Sequence, residues 1–514
     1  MPFSRRDLLR LAGATGAAAL LAACGTGGTG AAPAQMTNAL TPRRGGTFRA
    51  AFTGGAAAES LDPYAGGSAV DFVRNDVIYD SLFVLENGGA APSLATGLDT
   101  AADGRSFVLH LRENVRWHDG SAFTARDVAY SFGYMGDPAR AYPSELTGYL
   151  DLAHVEVVDD ATVRVPTLTP VGDPAVLLAA FPAKMVKDGT TSITAETVNG
   201  TGPYRVTAFE AGRETRLARF DGYWGEAAPA DELVLLSLTD AQAQVNAVTT
   251  GQADYTGDIP FTTAKIGTTA PGLEIRTAGP ATRTGFAFVL NATKPPFDDS
   301  RVRRAVRLGV DRQALVDTVF LGFGVPGNDL FGAGSRYHDD RAPLARDIEE
   351  ARRLVAEAGA GGVKIFARTA EYQTGYNAAT QLFAEQMKEI GLDVEAQVVG
   401  LSEFFEPSAL AEAHSVTFGM GTYPLPVAYG RLSGIPSLVL PDEDFATALA
   451  EAIATTSEDT RAQAWQRLQD LMFDKGNTVV WGDADILSMA KANVAGVEVH
   501  DQAQYPYLGK AGLA

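Results

Sequence analysis

Short strand-like runs and helical stripes succeed one another along most of this chain. In Thr47-Phe48-Arg49-Ala50-Ala51-Phe52 and in Ser106-Phe107-Val108-Leu109-His110-Leu111 the apolar residues lean to one side, as in strands with one buried face. From Ser300 to Phe320 they recur at three and four instead, the stripe of an amphipathic helix. A second such stripe runs from Arg346 to Gly359 and stops at a glycine, a common helix end. From Gly45 onward the alternation of the two patterns predicts an α/β chain. It contains no internal repeat and no apolar run near the roughly 18 residues that a membrane helix requires.

The first residues follow another pattern. Ser4-Arg5-Arg6-Asp7-Leu8-Leu9-Arg10 is a twin-arginine head, and the apolar run Leu11 to Ala23 that follows is too short to span a bilayer. Residues 1–23 are therefore expected to be a removable export signal. Leu21-Ala22-Ala23-Cys24 resembles a bacterial lipobox, which implies that Cys24 becomes an acylated amino terminus holding the protein on a membrane. Residues 24–44, rich in Gly, Ala, Thr and Pro, read as a flexible tether.

Cys24 is the only cysteine, so neither a disulfide nor thiol catalysis is expected in the exported body. With 514 residues, 46% hydrophobic and 20% charged, the chain has the composition of a globular protein of two or three domains. Its formal net charge of -20 makes nucleic acid and anionic lipid poor partners, and leaves lipid on Cys24 as the expected membrane hold.

Catalytic and metal motifs are lacking. The six histidines (His110, His118, His154, His338, His414 and His500) show no i, i+4 pairing, and there is no nucleophile elbow or phosphate loop. Asp159-Asp160, Asp298-Asp299 and Asp339-Asp340 are adjacent pairs whose side chains diverge, so each reads as a turn rather than as an acid and base facing across a cleft. No enzyme activity, cofactor or metal site is expected.

Five segments carry more information. Asp103 to Phe132 reads as a turn, an alternating strand, a second Asp-Gly turn at Asp119-Gly120, and a helix capped by Thr124 with Val128 and Phe132 inward. The others are Ser60-Leu61-Asp62-Pro63, Gly200-Thr201-Gly202-Pro203-Tyr204, Phe220-Asp221-Gly222-Tyr223-Trp224, and Pro295 to Val306 with Val310-Asp311-Arg312 behind it. In the last, Asp299 or Ser300 can cap the following helix. Together, over roughly residues 45–500, they resemble the extracytoplasmic solute-binding proteins of family 5, the peptide- and nickel-binding subunits of ABC importers.

That resemblance implies a two-lobed periplasmic-binding-protein fold, class II and of the large type with an extra inserted subdomain, whose lobes close over a solute by hinge bending. Carried onto this chain, lobe I is residues 45–284 with the insert at about 77–198, lobe II is 285–483, and 484–514 return to lobe I. The strand Thr284 to Asn291 is then a hinge crossing, and His118 is scaffold. A monomer is expected, working with permease and ATPase subunits outside the cytoplasmic membrane. The solute is a peptide or similar molecule, with an oligosaccharide, a nickel chelate, or a sensing or chaperone role as alternatives.

The resemblance places Phe52, Tyr64, Tyr142, Arg283, Met420, Thr422 and Tyr423 at the ligand. It also exposes a departure. Peptide binders of the family carry an aspartate for the peptide amine and a nearby tryptophan, where this chain has Thr422 and Gly419. A buried ammonium without a carboxylate is costly, so either the solute lacks a primary amine or an acid comes from elsewhere.

Overall fold

A computed structural model describes residues 33–514 apart from 87, 141–143, 181–182, 269, 405 and 501–504. Three sheets organise it. The first has eight strands in the order Ala34–Gln35, Leu273–Thr277, Leu487–Lys491, Tyr255–Thr256, Thr47–Thr53, Glu232–Leu238, Glu214–Arg219, Tyr204–Glu210. The second has six: Gly324–Pro326, Thr478–Ala484, Thr284–Leu290, Ser415–Met420, Lys364–Thr369, Asp393–Val398. Both are mixed, as expected where crossover helices and hairpins share one sheet.

Between Ile78 and Gly200 lies a separate unit, an antiparallel sheet ordered Ala95–Thr100, Ser106–Leu111, Thr162–Pro166, Glu156–Asp159, beside a hairpin of Phe83–Glu86 and Gly89–Pro92. Its core holds Phe107, Leu109, Trp117, Val128 and Phe132, all fully buried. Helix Ala125–Gly136 starts at Thr124, whose backbone N–H donates to the Asp127 carboxylate at 2.7 Å. His118 is locked in this scaffold: Gly200 N–H donates to Nδ1 at 3.2 Å, and Nε2 lies 3.0 Å from the Gly202 carbonyl. Burial lowers its pKa to about 4.

The arginine-rich segment after the Pro295-Pro296 pair has a packing reason. Asp299 Oδ1 accepts from Arg301 N–H at 2.8 Å and starts helix Ser300–Gly309. Arg303 and Arg307 then reach the carbonyls of Lys475 and Asp474 at 2.8 and 2.9 Å, satisfying the end of helix Glu458–Lys475. Arg312 closes a buried two-pronged pair on Asp329 at 2.7 and 2.8 Å. The stripe from Arg346 forms helix Ile348–Glu357, capped by Asp347, with Gly359 just beyond it in the left-handed region.

Chain crosses from the first sheet to the second before Thr284 and back after Ala484. One apolar cluster spans that crossing, joining Ala51, Val248 and Phe261 to Phe286, Phe320 and Trp481. Phe261 and Phe320 stand 5.3 Å apart between ring centres, and Phe320 stacks on Trp481 at 4.7 Å. No helix among the described residues is long and apolar enough to cross a membrane.

Candidate functional site

Parallel strands define where a ligand can sit. Thr47–Thr53 runs parallel to Glu232–Leu238 and Tyr255–Thr256, and Lys364–Thr369 runs parallel to Asp393–Val398 and Ser415–Met420. Open α/β sheets bind ligands outside the carboxyl ends of such strands, where loops gather. Here the two sets of loops converge on the crossing: Ile259 N–H donates to the Leu487 carbonyl at 3.0 Å, and Thr422 Oγ1 donates to the carbonyls of Ala281 and Arg283 at 3.2 and 3.3 Å.

On the first lobe the loop after Thr53 is fixed by a buried ionic network. Arg74 binds Asp71, lies 3.5 Å from Glu59, and donates to Thr215 Oγ1 and the Ser60 carbonyl at 3.1 and 2.8 Å. Gly54 is required because a Cβ there would run into Ser237 and Glu59. Asp62 ties the loop to the insert, accepting from Tyr134 Oη at 2.8 Å and pairing with Arg140 at 3.0 Å. Tyr64 caps this contact by donating from its hydroxyl to the Lys184 carbonyl at 2.8 Å.

On the second lobe Gly419 has a positive reason to be glycine. A side chain there would collide with the Tyr376 hydroxyl and with Gln373 Oε1, which themselves are 2.9 Å apart. Tyr376 is fully buried and packs 4.8 Å from Tyr372, whose hydroxyl donates to the Thr417 carbonyl at 3.0 Å. Tyrosines from the start of helix Tyr376–Glu389 and the loop before it thus fill the space in which a tryptophan at position 419 would project.

The residues expected at the ligand fall into groups. Phe52 and Met420 are 1% and 3% exposed and pack into the cores of their lobes. Tyr64 and Tyr423 are half-buried against the core of the insert. Arg283 and Thr422 are brought together at the crossing, Arg283 with its Nε 2.7 Å from Asp485 Oδ1. Tyr142 and Cys24 lie outside the described residues.

Two carboxylates at the strand ends escaped notice in the sequence. Asp258 follows Tyr255–Thr256 in a left-handed conformation (φ 51°). Its side chain is exposed to solvent. Asp483, in Thr478–Ala484, is 9% exposed, and desolvation pushes it up to about 7 against the opposing pull of Arg283. No group of three or more His, Cys, Asp or Glu able to hold a metal ion occurs among the described residues.

The insert also touches the second lobe directly. Arg461 pairs with Asp173 at 2.9 Å and donates to the Gly172 carbonyl at 3.0 Å, while Gly172 N–H donates to the Ile453 carbonyl at 2.8 Å. Arg431 pairs with Glu145 at 2.9 Å and stacks over Tyr423 at 4.5 Å. Val427 is buried in the insert's own core. An outer groove of about 930 Å³ follows this seam, and a cavity of about 390 Å³ lies between the insert and the C-terminal return.

The profile of bacterial extracellular solute-binding proteins, family 5, matches residues 89–432. The chain belongs to this family. Among curated relatives, the glutathione-binding protein GsiB of Salmonella typhi is 27% identical over 306 residues, 58% of this chain; the chain spans 59% of that relative's length. Among solved structures, the periplasmic binding protein DppA of Helicobacter pylori, in complex with the peptide STSA, superposes with a TM-score of 0.77 at 20% identity, covering 92% of this chain and 98% of that one. NikA of Staphylococcus aureus, in complex with Ni(L-His)2, gives 0.75 at 16% identity over 91% of this chain and 100% of that one. These family 5 neighbours are two-lobed binding proteins, and the fold of this chain is theirs.

Proposed function

We propose that this family 5 protein is the solute-binding subunit of an ABC importer, holding a peptide-like solute between its lobes and presenting the closed form to permease and ATPase subunits. The observation that carries the reading is the pair of facing strand ends on either side of a double chain crossing. Loops at such ends can gather around a solute, and the crossings let one lobe rotate on the other. Closure delivers a signal only if the solute binds the closed form better than the open one. No step in this cycle breaks a bond.

Residues 1–23 act in this reading as the export signal and Cys24 as the lipid anchor on the outer face of the cytoplasmic membrane. In this reading lobe I is residues 45–284 with the insert at about 77–198, lobe II is 285–483 and 484–514 return to lobe I, a division that the strand orders support. Phe52 and Met420 would support the site from behind, with Tyr64, Arg283, Thr422 and Tyr423 nearer the solute. Peptide-like chemistry is favoured by the glutathione-binding relatives and the peptide-bound neighbour.

Native mass spectrometry of protein purified without denaturant tests this. The expected result is a co-purified small molecule whose removal widens the particle in small-angle scattering. A protein that carries nothing and whose dimensions no solute changes would count against the importer role.

A further inference from the structure

Asp483 sits in an unusual position for a carboxylate. It stands opposite Gly285, which stands opposite Met420, so the three occupy one row across adjacent antiparallel strands and share a face of the sheet. Gly285 contributes no side chain to that row. A Cβ on it would lie 3.3 Å from both Asp483 Oδ1 and the Phe331 ring, so carboxylate and ring share the space above the glycine. Asp483 is 9% exposed and has neither a hydrogen bond nor an ion pair to its side chain among the described residues.

We infer that Asp483 receives a cationic group of the solute, an ammonium or a guanidinium, at the hinge end of the second lobe. This rests on the importer reading and names the chemistry of that same site. The surrounding charges agree. Arg283 is the one cation acting on Asp483, and its Nε is engaged by Asp485; the remaining neighbour, the exposed Asp340, adds negative charge. Three carboxylates and one guanidinium leave a local deficit that a bound cation fills. Thr422, two residues beyond Met420, cannot take the acid's place, because its hydroxyl carries no charge and lies against the carbonyls of Ala281 and Arg283. The acid missing at position 422 is thus supplied from a strand more than sixty residues later in the chain.

An unpartnered buried carboxylate destabilises the empty protein, which gives a test that needs no ligand. Asp483→Asn, without solute, should melt at a higher temperature than the native protein at pH 8, with the gap closing toward pH 4.5. A variant that melts lower at pH 8 would show that Asp483 has a structural partner, and would overturn the inference.

The binding arm measures affinity for putrescine, agmatine, arginine, a free dipeptide, its N-acetyl form and a neutral oligosaccharide. At least one cationic probe should bind, and Asp483→Asn should weaken it tenfold or more while leaving the protein folded. Binding confined to the neutral or acetylated probes, or unaffected by the substitution, overturns the assignment but leaves the importer reading intact. Binding of no probe overturns it too, and the co-purified solute then decides the importer reading separately.

Discussion

The seam between insert and second lobe and the strand ends beside the hinge are built on opposite plans. Every strong charge on the seam has a partner in place: Arg461 takes Asp173, Glu458 and the carbonyls of Gly172, Thr455 and Thr456, and Arg431 takes Glu145. At the strand ends Asp483 has none among the described residues, and burial raises its pKa. A contact that must hold the lobes together is complete without a third party. In the proposed reading, the surface that responds to a solute is the one left incomplete.

The largest effect should come from breaking the complete side. Arg461→Ala leaves a half-buried Asp173 and several buried carbonyls without their donor, and should cost about 3 kcal/mol. We expect a lower melting temperature, a larger radius of gyration and weaker solute binding. If only the melting temperature moves, Arg461 supports the second lobe alone.

Gly172→Val should act next. A Cβ at this position overlaps the Thr455 carbonyl across the seam, so the variant should stay open at a cost of about 2 kcal/mol. Unchanged scattering dimensions in its solute-bound form would contradict a seam that closes this tightly.

The incomplete side should be read by pH. Asp483 has a raised folded pKa, so between about 4 and 7 the folded state holds more protons than the unfolded state, and stability from this group falls as pH rises through that window. His118 has the opposite sign: its pKa is lowered to about 4, so the unfolded state takes up the proton first and stability falls as pH drops from 6.5 toward 4. Between about pH 4 and 6.5 the two groups act with opposite sign, so the melting temperature should rise more steeply with pH in Asp483→Asn, and less steeply in His118→Asn, than in the native protein. Slopes that change in the same direction in both variants would remove the distinction between site and scaffold.

Arg431→Ala should have the smallest effect. Its partner Glu145 is about half exposed, and such pairs contribute about 0.5 kcal/mol. A double-mutant cycle with Glu145→Ala measures it.

What the sequence reveals is local. Thr124 at its helix and Asp299 before Arg301 are each satisfied within a few residues, so spacing alone exposes them. The family likewise follows from segments that carry turns and caps. The charged site does not, because Asp483 meets Gly285 and Met420 only through strand pairing across most of the second lobe, and in sequence it reads as one more residue beside Asp485. Phe52 illustrates the converse: Phe48, Ala50 and Phe52 share a face by their spacing, but whether that face meets core or cleft depends on what covers it. Gly419 signalled a lost tryptophan, while the tyrosines that fill its space lie more than forty residues earlier.

Four tryptophans occur in the chain, and their placement makes the protein its own optical gauge. Trp117 is sealed in the insert, Trp224 donates to Asp80 at 2.8 Å beside it, and Trp481 lies in the apolar cluster that both lobes share. Trp465 alone borders the small pocket where Asp173 and Arg461 join insert and second lobe. If that join parts in the proposed hinge motion, water should reach this one indole out of four, and closure should register as a blue shift in emission without attaching any dye.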